Sequence, residues 1–327
     1  MKKFVFVLLL IFALFRIFLS IKLQLHPDET YYWLWSQNLD WSYFDHSPMV
    51  AYFIKLTTIF SSAEFFVRLS SLITFVLGMY IIWKLVKKMF VNEEIAYMSL
   101  FIFNLFPMLG ASFIITPDIP LIFFWILSLY YIWLAIKEDK LTYWILSGVC
   151  IGLAMLSKYN GVILLISLFL FLIISNNYRK LLLTIKPYLT ASIAFIIFLP
   201  VIIWNYNHNW ISFKFQFFHG IPSSSGNFSN VVSYFLGQIA ATGLFLGIIS
   251  IFLPYIYIFC KSDEKKFLAT FSFMPLTIFA LTSYKSLAEM NWPVCAYPSI
   301  AILSAIFFVE KKSKFKNIYL TFSSIFS

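Results

Sequence analysis

The chain alternates long apolar runs with short polar links from one end to the other. Apolar runs lie near 4–21, 65–83, 95–115, 119–136, 142–157, 160–174, 187–204, 231–259, 267–283 and 293–309, and an eleventh begins near 317. Runs of roughly 17 to 25 apolar residues cross a bilayer as helices. The pattern therefore predicts an all-α polytopic membrane protein, a bundle of about 10–11 transmembrane helices forming one domain over 1–327. No soluble C-terminal domain is expected in this chain.

Two links are long. Within 22–64, Pro27 suits a first helical position, and Asp28 and Glu29 follow in the first turn, where acidic groups favour the positive end of the helix dipole. Pro48 starts a second helix in which Met49, Tyr52, Phe53, Leu56 and Phe60 repeat at helical spacing. Its 13 or so residues reach only about 20 Å, too short for a core of roughly 30 Å. Two juxtamembrane helices are therefore expected in this link. The second long link, 205–230, runs Asn205-Tyr206-Asn207-His208-Asn209-Trp210 and on through His219 to Ser223-Ser224-Ser225-Gly226. It reads either as a mobile lid carrying His208 or as an interface loop anchored by Trp210.

Composition agrees with a membrane protein: 61% hydrophobic, 21% aromatic and only 12% charged residues, against about 25% charged in soluble domains. The net charge of +10 does not indicate nucleic acid, because the basic residues sit in short links between spans. Of the 24 Lys and Arg residues, Lys22, Lys55, Lys158, Lys214 and Lys285 fall in one alternate set of links and Arg16 and Arg68 within apolar runs. All the others fall in the opposite set, which the positive-inside rule assigns to the cytoplasm. This places the protein in the plasma or inner membrane, N-terminus inside, with 22–64 and 205–230 facing outward. Lys2 and Lys3 before the first run resemble a signal peptide, but no small-residue cleavage site follows, so a retained helix is expected. Cys150, Cys260 and Cys295 are assigned to packing.

The candidate chemistry gathers in the outward links. His26, Asp28, Glu29, Asp45 and His46 lie in the first, with Tyr32 on the helical face of Asp28. Thr116-Pro117-Asp118 forms a hairpin corner in which Thr116 can cap the following helix and Asp118 occupies its first turn. Two further corners carry Lys158-Tyr159-Asn160 and Lys285 through Glu289 and Asn291. Lys158 and Lys285 suit a phosphate at the outward water boundary, with snorkelling to headgroups as the competing reading. Arg16 and Arg68 lie near span ends, where snorkelling or a pair with Glu64 accounts for them; Arg68 is also a candidate phosphate ligand. The imidazole and carboxylate groups could hold zinc or manganese, but no pair has diagnostic spacing, so no cofactor is assigned.

Five stretches resemble the GT-C glycosyltransferases that use polyprenyl-phosphate sugars, notably bacterial relatives of the protein O-mannosyltransferases and of the lipid A aminoarabinose transferase. They are HPDETYYWLWSQNLDWSYFDHSPMVAYF, TPDIPLIFFW, GLAMLSKYNGVILL, PVIIWNYNHNWISFKFQFFHG and NWPVCAYPSIAIL. The resemblance implies a GT-C-like bundle and an inverting sugar transfer on the extracytoplasmic side. Asp28 is implied as the base, with Glu29 orienting it or the acceptor, and Asp118 in support. Lys158, Lys285 and Arg68 would meet the donor phosphate. Tyr32, Asp45, His46, Tyr159, His208, Glu289 and Asn291 would line the substrates. The partners implied are a polyprenyl-phosphate sugar, membrane lipid, and a glycolipid, glycan or protein acceptor. Relatives often continue into a further outward domain, so this chain is expected to be a short form or a truncated one. The alternatives are a transporter or flippase, which would place its charges near the midplane, and a non-catalytic scaffold.

Overall fold

A computed structural model describes residues 2–220, 226–286 and 288–311. The eleventh apolar run, Ser223 to Ser225 and the His219 side chain lie outside what is described. Helices occupy each of the other ten expected spans, and no strand occurs among the described residues.

Helix α1, Lys2–Lys22, stands at the margin, its surface mostly facing lipid with Arg16 and Ser20 turned inward. Both juxtamembrane helices are present: α2, Pro27–Gln37, and α3, Met49–Thr58. Helix α2 starts where it does because of a reciprocal cap. The His26 ring accepts from the Asp28 N–H at 3.3 Å, and the Glu29 carboxylate accepts from the His26 N–H at 2.9 Å. Val50, Ala51, Ile54 and Thr57 form the buried stripe of α3. Val50, Ala51 and Ile54 meet Tyr32, Trp35, Val67, Ile115 and Ile119 in a small core apart from the main one.

The chain continues through α4, Glu64–Met89; α5, Glu93–Leu105; α6, Pro107–Gly110; α7, Asp118–Glu138; and α8, Leu141–Ser157. A 3-10 turn at Tyr159–Val162 leads into α9, Ile163–Ile174, followed by α10, Lys186–Asn207. Then come α11, Ile211–Gly220; α12, Phe228–Ala241; α13, Leu244–Ser250; α14, Leu253–Tyr257; α15, Asp263–Ser283; and α16, Tyr297–Glu310. Helices α1, α4, α7, α10 and α15 are each long and apolar enough to cross a bilayer.

Packing in lipid relies on close backbone approach, because apolar side chains gain little by leaving an apolar solvent. Gly148 and Gly152, four apart on α8, supply it. A Cβ on Gly148 would lie 2.7 Å from the Thr190 carbonyl oxygen, and one on Gly152 2.7 Å from Ile197 Cβ. Thr190 donates to the Trp144 carbonyl at 2.8 Å across the same seam.

Two expected spans are interrupted. The run 95–115 breaks after Leu105, where Pro107 has no N–H to continue the ladder. The run 231–259 bends by 118° between α12 and α13, at Gly243 with φ 85°. The expected loop at 205–230 is in large part helical, since α10 extends to Asn207 and α11 fills 211–220.

One end of the bundle is closed by ion pairs. Lys186 meets Asp139 at 2.6 Å, Lys265 meets Glu310 at 2.7 Å, and Lys88 and Lys137 reach Glu138 and Glu264 at 3.5 Å. The other end carries the site.

Candidate functional site

At that end Asp118 opens α7, and Lys158 follows the last residue of α8. The Lys158 ammonium donates to Asp118 Oδ1 at 2.7 Å, and Asn291 Nδ2 donates to Oδ2 at 2.7 Å. The Asp118 side chain is 10% exposed, so this small network joins α7, α8 and the segment before α16 under reduced screening. Thr116 does not cap α7; its backbone carbonyl accepts from Ile119, and the residue lines the site.

The network walls a polar cavity of about 270 Å3. Around it stand Asp28, Tyr32, Asp45, His46, Glu289 and Asn291, which the sequence singles out, together with Thr116, Phe215, Gln216 and Trp292. Two more apolar cavities share its walls. One, of about 220 Å3, runs from His26, Asp28 and Asp118 down past Met108, Ile114, Ile119 and Ile122. The other, of about 230 Å3, runs from Lys158 and Tyr159 past Phe217, Phe279 and Thr282. Asp28 therefore faces one apolar cavity and Lys158 the other, with the polar space between them. The Asp28 side chain is 63% exposed and 3.5 Å from the His26 ring. Among the described residues no three His, Cys, Asp or Glu side chains are grouped to hold a metal ion.

Several expectations are corrected. Glu29 is fully buried and does not reach the cavity. Its oxygens accept from Arg68 Nε at 2.8 Å and Nη2 at 2.5 Å, from the Ile115 N–H at 3.0 Å and from the His26 N–H. Arg68 pairs with Glu29 rather than Glu64, and it has nothing left for a phosphate. Its remaining donors go to the carbonyls of Ser20, Leu23 and Gln24, which exhausts the five N–H groups of a guanidinium. Arg16 does not snorkel; it is 4% exposed. Lys285 is exposed and lines none of the three cavities. His208 lies outside them too, stacked on Trp204 at 3.9 Å, while Trp204 Nε1 donates to Asp40. Tyr159 belongs to the Lys158 cavity, its hydroxyl 3.2 Å from Ser42 Oγ.

Sequence reading missed Phe215, Gln216 and Trp292. Gln216, one of the few polar residues of α11, donates to the Asp45 carbonyl, while Ser212 donates to that of Tyr43. These bonds fasten α11 over the cavity. Its polar residues within an aromatic helix were the available signal.

Burial holds the Asp45 carboxyl above its usual range, with the charge of Asp28 adding to the effect and the Tyr31 hydroxyl, donating at 3.3 Å, opposing it. Burial and Asp45 together push the Tyr31 phenol up to about 12. A carboxyl raised in the folded state destabilises the fold once ionised, and this cost disappears as pH falls below its unfolded value. Asp45→Asn is therefore expected to raise the melting temperature in neutral buffer and to match the parent in acid. Thermal unfolding in detergent at both pH values checks this.

Comparison with known proteins fits this architecture. The sequence model of the dolichyl-phosphate-mannose-protein mannosyltransferase family matches residues 45–204. The chain is 25% identical over 306 residues to the lipid A galacturonosyltransferase RgtD of Rhizobium johnstonii, covering 92% of this chain and 64% of that protein. Among solved structures it superposes on ArnT from Cupriavidus metallidurans bound to undecaprenyl phosphate with a TM-score of 0.77 at 17% identity, over 96% of this chain and 62% of ArnT. The Archaeoglobus fulgidus oligosaccharyltransferase gives 0.58 at 14% identity, over 99% of this chain and 52% of that one. The chain thus shares the fold of the matched parts of the two solved structures and spans under two thirds of the length of each of these three proteins.

Proposed function

We propose that this chain belongs to the GT-C glycosyltransferases and moves a sugar from a polyprenyl phosphate to a glycolipid at the extracytoplasmic face of the inner membrane. The observation that carries the reading is the polar cavity with Asp28 on one wall and Lys158 on another, each also facing its own apolar cavity. Two lipid-borne reactants can then meet in a polar space while their chains stay in oil. The likeness to RgtD, named for lipid A, and to ArnT, solved with undecaprenyl phosphate, supports a lipid on each side.

The donor phosphate sits beside Lys158 and the acceptor hydroxyl beside Asp28. As the acceptor oxygen bonds to the anomeric carbon, the bond from that carbon to the phosphate oxygen breaks. The electron pair stays on the phosphate, where the Lys158 charge stabilises it, and the hydroxyl proton passes to Asp28. Attack from the face opposite the phosphate inverts the anomeric centre. Asp118 and Asn291 keep the ammonium in place, and Tyr32, Asp45, His46 and Glu289 bound the sugar.

Protein in lipid nanodiscs, supplied with undecaprenyl-phosphate sugars and an envelope glycolipid extract, tests the reading. Transfer is expected, and it should persist in EDTA because Lys158, not a bound cation, balances the phosphate. Lys158→Gln should lower kcat/KM for the donor at least about tenfold, with kcat falling, through loss of a charge that stabilises the departing phosphate. Folded protein that transfers nothing across a panel of donor sugars would remove the proposal.

A further inference from the structure

Arg16 is an expensive residue in its position. It is buried on α1 within a membrane span, and no carboxylate pairs with it among the described residues. Such a group calls for a functional account. Its Nη1 donates to Asn104 Oδ1 at 3.0 Å, its Nη2 to the Leu109 carbonyl at 3.3 Å, and its guanidinium lies 4.1 Å from the Phe75 ring centre. Asn104 and Leu109 flank the break between α5 and α6, and Phe75 of α4 stacks on Phe103 just before it.

The break shapes the site. Helix α5 has 13 residues, about 20 Å at 1.5 Å per residue and short of a bilayer core. The chain from 106 to 117 then runs as one short helix and turns, and Met108, Ala111, Ser112, Ile114 and Thr116 from it wall the cavity beside Asp28. Irregular backbone at membrane depth persists only where its polar groups find protein partners. Glu29 holds the far end through the Ile115 N–H, and Arg16 holds the near end through the Leu109 carbonyl, which also accepts from Ser112 Oγ at 2.6 Å.

We infer that Arg16 is a positioning residue which, through Asn104 and the Leu109 carbonyl, holds the interrupted segment 106–117 as the wall of the acceptor-side cavity. The inference rests on the glycosyltransferase reading for the word acceptor, but the latch itself does not.

Two measurements test it. In nanodiscs, Arg16→Lys and Asn104→Ala should each raise the acceptor KM about tenfold while kcat and the donor KM stay within about threefold. A lysine cannot reach both partners with one ammonium, so the conservative change should fail to rescue. Independently, Ser112→Cys, nearly isosteric at a position 5% exposed in the same segment, should react with a water-soluble maleimide about tenfold faster when Arg16→Lys is added, since a released segment opens to solvent. Mass spectrometry of the labelled peptide separates this thiol from Cys260, and Cys150 and Cys295 are buried. Unchanged labelling overturns the latch, and so does a fall in apparent kcat with both KM values unchanged, which is what loss of folded protein alone produces. Should no variant, nor the parent, transfer sugar, the labelling still decides on Arg16 while the enzymatic reading fails alone.

Discussion

Asp28→Asn is expected to lower kcat by about 10²–10⁴-fold, the range typical of a lost general base, with little change in donor KM. The geometry makes the variant clean. Asp28 is exposed, its backbone N–H rather than its carboxylate takes part in the cap, and the amide is nearly the same size. The start of α2 should hold, because Glu29 and His26 complete the capping box without it. A transfer assay beside a thermal melt separates the two effects. Full activity in Asp28→Asn would remove Asp28 as the base and with it the proposed division of the cavity.

The second large effect concerns stability. Glu29→Ala or Arg68→Met is expected to cost about 3–5 kcal/mol, because either leaves the other charge buried and unpaired. Arg68 is 1% exposed and ties the carbonyls at the end of α1 and just beyond it to α4, and Glu29 ties the start of α2 to Ile115 ahead of α7. One pair thus sets where Asp28 stands relative to Asp118. Combining Glu29→Gln with Arg68→Met should recover little, since the three carbonyls and the Ile115 N–H would still lose their charged partners. Loss of monodisperse protein in size-exclusion chromatography and a lowered melting temperature would register the effect. A parent-like melt for Arg68→Met would show the clamp to be dispensable.

Adjacent residues in the first polar link illustrate what a sequence reading reaches. Asp28 and Glu29 look alike as acidic groups in a first helical turn, yet one opens to the cavity and the other is sealed under Arg68. Periodicity places them on different faces of α2 but does not say which face meets α4 and the turn at 115. Arg68 likewise reads as a phosphate ligand until its five donors are counted against their partners. Lys158 and Asn291, 133 positions apart, are brought to one carboxylate only by the packing of α7 against α8 and the segment before α16.

The order of apolar runs and links determined that this chain folds as a helical membrane bundle, because a bilayer admits few solutions for an unpaired backbone. The clustering of acids and outlying lysines in alternate links determined which end gathers the polar cavity. Only the tertiary structure decided which of those charges face the cavity and which hold the bundle together, and where two spans break. Those outcomes depend on which partners saturate each buried donor and acceptor, and the partners come from helices far apart in the chain.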